Sequence, residues 1–394
     1  MSASDDRTPP PDPIALLKQL VAIESVNPDL VPGAPGERSI ASFCADWLGR
    51  HGLEVHRLES VSGRPSVVGI ARGTGGGRSL LLNGHLDTVS LVGYDGDPLA
   101  VVERDGRIFG RGAFDMKSGL AAIMVAVARA ARAPLGGDVL VACVADEEFG
   151  SIGTEAVLRH FRADAAIVAE PSGLEVTLGH RGFAWFEVVL TGRAAHGATP
   201  HLGVDAIAHA SQFIRRLDAL AVRLESAPRH PLLGHGAVRV ATIQGGTEAA
   251  TVAAECRLTI ERRSLPGETP DAVEAELREI LEGLARTVDN FSFTLKRLVA
   301  RAGYEAARDW PIVAIVIEQA ERVLGRPQVT RGEPFWTDAG LLDQVGIPCL
   351  LIGVVGGGAH GPVEWVDIQS VHQLTDILTG TIAQFCGPAV RSLA

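Results

Sequence analysis

No two cysteines in this chain stand at metal- or redox-motif spacing. The five (Cys44, Cys143, Cys256, Cys349, Cys386) are odd in number, scattered and without a Cys-x-x-Cys pair. That excludes a disulfide framework and a thiolate zinc site, and it fits a reducing compartment. Lysine and arginine form no run, and 36 of them stand against 47 Asp and Glu, a formal charge of -11. A phosphate-tracking stripe, and with it a nucleic-acid partner, is excluded. Long apolar runs are also missing: the stretch around Ala121 to Ala128 is far too short to span a bilayer. Met1 to Pro13 is polar and proline-rich, without the apolar core of a signal peptide. A cytoplasmic protein without membrane attachment is expected.

What is present is an ordinary packed composition, 46% hydrophobic and 21% charged, in 394 residues. One hydrophobic core rarely keeps growing beyond roughly 250 to 300 residues, so at least two domains are expected. Helical spacing of apolar residues marks Ile14 to Glu24, Gly36 to His51, Lys117 to Arg132 and Thr154 to His160. Strands rich in Val, Ile or Leu are expected at Leu53 to Arg57, Ser66 to Ala71, Ser79 to Leu82, Asp138 to Val144 and Ala165 to Ala169. Arg72-Gly-Thr-Gly-Gly-Gly77, between two of them, reads as a hairpin loop. Strands alternating with helices argue for an α/β domain with a mainly parallel sheet, whose sites gather beyond the strands' carboxyl ends. From about Gly179 the pattern changes to a compact α+β unit, and helices at Trp310 to Leu324 and Ile368 to Phe385 resume the first pattern. The expected division is a discontinuous domain, 1–179 with 299–394, interrupted by a second over 180–298.

The residues suited to chemistry fall at the loops and strand ends of the first domain. Asp115, in the turn leading into the helix from Lys117, is placed where two metal ions could share one carboxylate. His85 and Asp87 are two residues apart on an extended loop, which lets the histidine ligate a metal while the carboxylate fixes its tautomer through the other ring nitrogen. Glu147 and Glu148, adjacent at a strand end, point in different directions, Glu148 as ligand and Glu147 as base. Glu170 ends a strand, and His360 lies in Gly358-Ala-His-Gly361. Imidazole nitrogen with carboxylate oxygen is the donor set that zinc takes at sites keeping a position open for water.

These segments, Asn83-Gly-His-Leu-Asp-Thr88, Gly110-Arg-Gly-Ala-Phe-Asp-Met-Lys-Ser-Gly119, Asp146-Glu-Glu-Phe-Gly150, Ala169-Glu-Pro-Ser172 and Gly358-Ala-His-Gly361, resemble the dinuclear-zinc deacylase and exopeptidase family that includes acetylornithine deacetylase, succinyl-diaminopimelate desuccinylase, aminoacylase and glutamate carboxypeptidase. The resemblance implies a metallohydrolase domain with an inserted α+β lid that often forms a dimer interface. It implies two divalent ions, zinc first and cobalt or manganese next, held by His85 and Glu170 on one side and Glu148 and His360 on the other, with Asp115 as bridge. Glu147 matches the general base and Asp87 the residue behind the histidine. In the lid, Gly192-Arg-Ala-Ala-His-Gly-Ala-Thr-Pro-His201 places His196 at the position that polarises the scissile carbonyl, within one subunit or across a dimer. Arg263 matches the arginine that grips a substrate carboxylate, while Trp336, Thr337, Gly357 and Gly358 are assigned to the substrate pocket. The implied reaction is amide hydrolysis of an N-acyl amino acid by a metal-bridged hydroxide, acetylornithine-like substrates first, with an exopeptidase or a non-cleaving binder as the alternatives.

The chain departs from the family at Ala250 and Ala253, where Asn and Pro are usual, in the glycine-rich loop Ile352-Gly-Val-Val-Gly-Gly-Gly358, and at Val363, usually acidic. Gly356 to Gly361 satisfies G-x-G-x-x-G formally, but Pro362 follows it in place of an amphipathic helix, which argues against a dinucleotide site.

Overall fold

The computed structural model describes residues 10–388. Most of the proline-rich start read above as no leader (1–9) lies outside the described residues, as do 389–394. Two compact units divide the chain: Met1–Leu178, Ala306–Arg331 and Thr337–Ala394 form the first, Gly179–Glu305 with Gly332–Trp336 the second. The second unit therefore ends later than residue 298. Its last long strand, Ser292–Arg301, passes a register shift between Arg297 and Val299 and goes on pairing with Phe183 to Trp185.

In the first unit a mixed sheet runs in the order Glu54–Leu58, Ser66–Ala71, Val139–Val144, Leu80–His85, Ala165–Val168, Cys349–Leu351 and Val176–His180. Its four central strands, Val139–Val144 to Cys349–Leu351, are mutually parallel, and the outer pairings are antiparallel. Every residue of Ser66–Ala71, Leu80–His85 and Val139–Val144 is buried. Successive strand side chains point to opposite faces, so both faces of the sheet are covered. Helix Lys117–Ala130 is buried nearly all round, packed among helices Pro13–Val21 and Ile368–Phe385 and against the sheet.

The glycine stretch 72–77 is not a hairpin. Strand Val139–Val144 inserts between Ser66–Ala71 and Leu80–His85. The glycines instead let the chain pass against Gly136 and Gly137, where a Cβ on Gly73 would lie 2.5 Å from the Gly137 carbonyl. A small sheet of Gly356–Gly357, Trp365–Asp367, Arg107–Phe109 and Val102–Arg104 escaped the sequence reading, its strands being too short to show a period.

The second unit is a four-stranded antiparallel sheet, ordered Ala237–Gly245, Glu255–Ser264, Gly182–Thr191 and Ser292–Arg301, with helices Ala206–Ser226 and Pro270–Thr287. Its core joins Phe186, Val188, Leu258 and Ile260 to Phe213, Leu217, Leu277 and Leu281 of the helices. No helix among the described residues is long and apolar enough to cross a membrane.

Candidate metal centre

The parallel strands of the first unit deliver their acidic and imidazole groups to one end of the sheet. His85 closes its strand, Glu147 and Glu148 follow the neighbour on one side, Glu170 follows the neighbour on the other, and the loop after Cys349–Leu351 leads to His360. Asp115 meets them from the turn before helix Lys117–Ala130, which reaches this strand end closely because its third residue is Gly119. His360 itself is held in the left-handed region at φ 58.

Asp115 presents one oxygen to each histidine: Oδ1 lies 3.2 Å from His85 Nε2 and Oδ2 3.3 Å from His360 Nε2. Glu170 Oε1 is 3.7 Å from His85 Nε2, and Glu148 Oε2 is 3.1 Å from His360 Nε2. Potential ligand atoms of His85, Asp115 and Glu148 lie within 4.8 Å of one another, as do those of His85, Glu147 and Glu170. Glu147 thus stands beside the first pair rather than behind the second.

Burial raises Glu147, Glu148 and Glu170 above the ordinary carboxylate range, reinforced by Glu170 for the first and by Asp115 for the other two. Asp115 runs the other way: burial opposes its ionisation, but hydrogen bonds from His360 and His85 hold it low. Hydrogen bonds to Asp115 and then Glu148 push His360 up to about 10; at His85 burial is the largest single effect and lowers it, but the hydrogen bond to Asp115 together with the charges of Glu170, Asp87 and Glu147 raises it on balance. So many acid groups in a buried place need compensating positive charge, which divalent ions supply, and the mixed nitrogen and oxygen donors suit zinc. The residues fit such ions.

The model of peptidase family M20/M25/M40 matches residues 81–384. The chain belongs to this family. It is 30% identical to an acetylornithine deacetylase of Myxococcus xanthus, over 95% of this chain and 97% of the relative. It is 29% identical to the N-formyl-4-amino-5-aminomethyl-2-methylpyrimidine deformylase of Bacillus subtilis (strain 168), over 95% and 94%. Among solved structures, an aminopeptidase of Bacillus cereus ATCC 10987 superposes with a TM-score of 0.78 at 20% identity, over 95% of this chain and 98% of that one. The protein is a hydrolase of the M20 family, whose members act on amide bonds; one solved structure of similar fold, from Bacillus subtilis, is described as a dinuclear metal-binding peptidase of that family, with a TM-score of 0.73 at 18% identity, over 95% of this chain and 98% of that one.

In this M20 chain, Asp87 does not act as its spacing suggests. His85 Nδ1 donates to the main-chain oxygen of Asp87 at 2.9 Å, while the carboxylate stays 3.6 Å away. A main-chain carbonyl therefore fixes the tautomer. The carboxylate accepts instead from the main-chain N–H groups of Glu147 (3.1 Å) and Glu148 (3.2 Å) and from Asn27 Nδ2 (2.8 Å), so Asp87 holds the loop that carries both glutamates. Behind it, buried Arg64 forks onto Glu37 through two 2.7 Å bonds and reaches Asp146 at 2.9 Å.

Glu364 is the residue that sequence reading missed most plainly. Its carboxylate accepts the N–H groups of Gly112 and Asp115 at 3.0 Å and of Phe114 at 2.9 Å, and pairs with buried Arg111 at 2.9 Å. The only signal was an acidic residue four positions after His360. Asp338 was missed as well: buried, it accepts from Thr154 at 2.6 Å, and burial pushes it up to about 6.

The assigned pocket residues divide. Thr337 is fully buried and its hydroxyl accepts from Ala339 N–H, which turns it inward rather than toward a ligand. Gly357 pairs with Trp365, and Gly358, at φ 78, makes the tight turn against Val363 that leads to His360, so both shape the backbone. Within the second unit, Trp336 is 9% exposed and donates to the Ala302 carbonyl. His196 is exposed, and its Nδ1 accepts the Ala198 N–H at 3.0 Å, which leaves the ring proton on Nε2. At the departures from the family pattern main-chain carbonyls hold the loop around His196: Ala250 O accepts from Gly197 and Ala253 O from Ala206. Arg263 donates to Glu261 at 2.8 Å.

Proposed function

We propose that this protein is a metal-dependent deacylase that releases a short acyl group from the amine of an N-acyl amino acid, as an acetylornithine deacetylase does. The observation that carries the reading is Asp115 shared between two histidine nitrogens at 3.2 and 3.3 Å, with a glutamate beside each. Both named relatives support deacylation, one removing acetyl and the other formyl.

His85, Glu170 and Asp115 would hold one ion and Glu148, His360 and Asp115 the other, zinc first by its donor preference. When bound, the pair polarises the amide carbonyl and makes water acidic enough to react near neutral pH. Glu147, beside His85 and Glu170, takes the proton from the attacking water and returns it to the departing amine. Asp87 keeps Glu147 and Glu148 in register by holding their N–H groups. The family resemblance gives His196 the part of donor to the carbonyl oxygen, and its Nε2–H tautomer suits that part. It gives Arg263 the substrate carboxylate and the second unit the homodimer contact, and five cysteines none of which forms a disulfide support a cytoplasmic setting.

The test is amine release from N-acetyl, N-succinyl and N-aminoacyl amino acids by protein stripped of metal and resupplied with zinc, cobalt or manganese. Metal-dependent release from the N-acetyl compounds is expected. Turnover confined to the N-aminoacyl compounds would replace the deacylase with an exopeptidase.

A further inference from the structure

Arg64 stands two residues before strand Ser66–Ala71, which pairs antiparallel with Val139–Val144, so that the start of the one lies beside the end of the other. Ser66 Oγ accepts the Ala145 N–H at 3.0 Å and ties the two together there. The buried guanidinium thereby meets Asp146, 82 positions further on, where the strand gives way to the loop that carries Glu147 and Glu148.

Asp146 is the pivot of that loop. Its φ of 71 lies in the left-handed region and turns the chain between the strand and Glu147. Its carbonyl accepts the N–H groups of Phe149 at 3.4 Å, Gly150 at 3.0 Å and Ser151 at 2.5 Å. Its carboxylate oxygens divide. Oδ2 accepts the Ile152 N–H at 3.4 Å, while Oδ1 accepts from Arg64 at 2.9 Å and from Asn27 Nδ2 at 3.0 Å. The same Asn27 nitrogen donates to Asp87, which takes the N–H groups of Glu147 and Glu148. Every main-chain N–H from Glu147 to Ile152 therefore ends on Asp87 or Asp146.

Charge neutralisation does not account for this arrangement. Glu37, with two 2.7 Å bonds, already pairs the guanidinium, and Asp29 reaches it too. A further buried carboxylate on the same cation carries a desolvation cost that an apolar side chain would not. What it provides in return is direction, because a planar fork fixes both the place and the rotation of the carboxylate on which the loop is wound. We propose that Arg64 is a positioning residue for the reaction, setting through Asp146 the loop that aims Glu147, although none of its own bonds goes to a metal ligand. It rests on the reading of Glu147 as base and goes beyond it in naming what aims the base.

Two variants of the full chain test this. Arg64→Lys keeps the charge without the fork, and Asp146→Asn keeps the shape without the charge. In the zinc-loaded protein, hydrogen exchange of the amides from Glu147 to Ile152 should quicken about 10-fold or more in both, while strand Leu80–His85 exchanges as in wild type. With the N-acetyl amino acid that the wild type cleaves best, kcat should fall roughly 10- to 100-fold at unchanged KM, with two ions still bound per chain at saturating zinc. Unaltered exchange of the loop overturns the proposal, and so does acceleration spread equally over the strand, which reads a loss of global stability alone. Wild-type kcat, or an ion lost at saturating zinc, overturns it as well, the second because Arg64 would then act through Glu148. Should Arg64→Lys not fold, Asp146→Asn decides by the same readings. Failure of the base reading looks different. Wild-type protein without metal-dependent turnover, or Glu147→Gln with full turnover, removes the base and leaves the exchange of the loop to decide whether Arg64 positions it.

Discussion

Glu364 accepts the main-chain N–H of Asp115 at 3.0 Å, although the two residues are 249 positions apart. The carboxylate that would be shared by two ions is thus set by a second, buried carboxylate that also takes Arg111 at 2.9 Å. Removing one partner of such a buried pair leaves the other charge uncompensated. Glu364→Ala should lose about 3–5 kcal/mol of stability. Glu364→Gln, which keeps an acceptor but sets an amide against the N–H groups, should fold and bind metal more weakly. Urea unfolding and metal content per chain check both, and a Gln variant with wild-type metal affinity would remove Glu364 from the positioning of Asp115.

Glu147 lies near enough to His85 and Glu170 to serve as a ligand in its own right. Base and ligand roles predict different things for one substitution. As base, Glu147→Gln should lose roughly 10²- to 10⁴-fold in turnover while retaining both ions. Loss of an ion from this variant, measured by elemental analysis, would make Glu147 a ligand instead.

The site was legible where chemistry coincides with chain position. His85, Glu147, Glu148 and Glu170 sit at the ends of strands whose hydrophobic runs are visible in sequence, and the parallel arrangement brings such ends together. The supporting groups were not legible. Asn27, Arg64, Glu37 and Glu364 act through bonds to residues 27 to 253 positions away, and a lone polar residue in sequence carries no sign that it is buried. Asp87 shows the same limit within two residues, because spacing could not tell its carbonyl from its carboxylate as the partner of His85. The hairpin expected at Arg72 to Gly77 failed because strand pairing is decided by a segment, Val139–Val144, that enters some sixty residues later.

Metal removal should make stability depend steeply on pH. Asp338 is pushed from an ordinary 3.8 to about 6, so the folded chain binds its proton more tightly than the unfolded one. Its contribution is present below about pH 4 and is lost as pH rises through 6. Glu147, Glu148 and Glu170, also raised, act in the same direction. Asp115, held low, has the opposite sign, and its contribution disappears only in strong acid. The melting temperature of metal-stripped protein should therefore fall between about pH 4 and 7, and zinc should restore it most at the upper end. A flat profile without metal would mean that the carboxylates are not in conflict.

Gly119 tests whether the centre depends on how closely helix Lys117–Ala130 approaches the neighbouring strand end. A Cβ there would lie 2.1 Å from the carbonyl oxygen of Ala169, which is backbone and cannot turn aside. That strand end is itself pinned, Ala169 N–H donating to Asn83 O at 3.0 Å. With Gly119→Ala the helix must retreat, carrying Asp115, just before its first turn, away from Glu170, the residue after Ala169. Overpacking of this kind costs about 1–3 kcal/mol, and the metal that Asp115 and Glu170 share should be released to a chelator before the one held by Glu148 and His360. Chelator competition on the folded variant checks the order, and simultaneous release of both ions, or an affinity unchanged from wild type, would show that the helix does not set the distance between these two ligands.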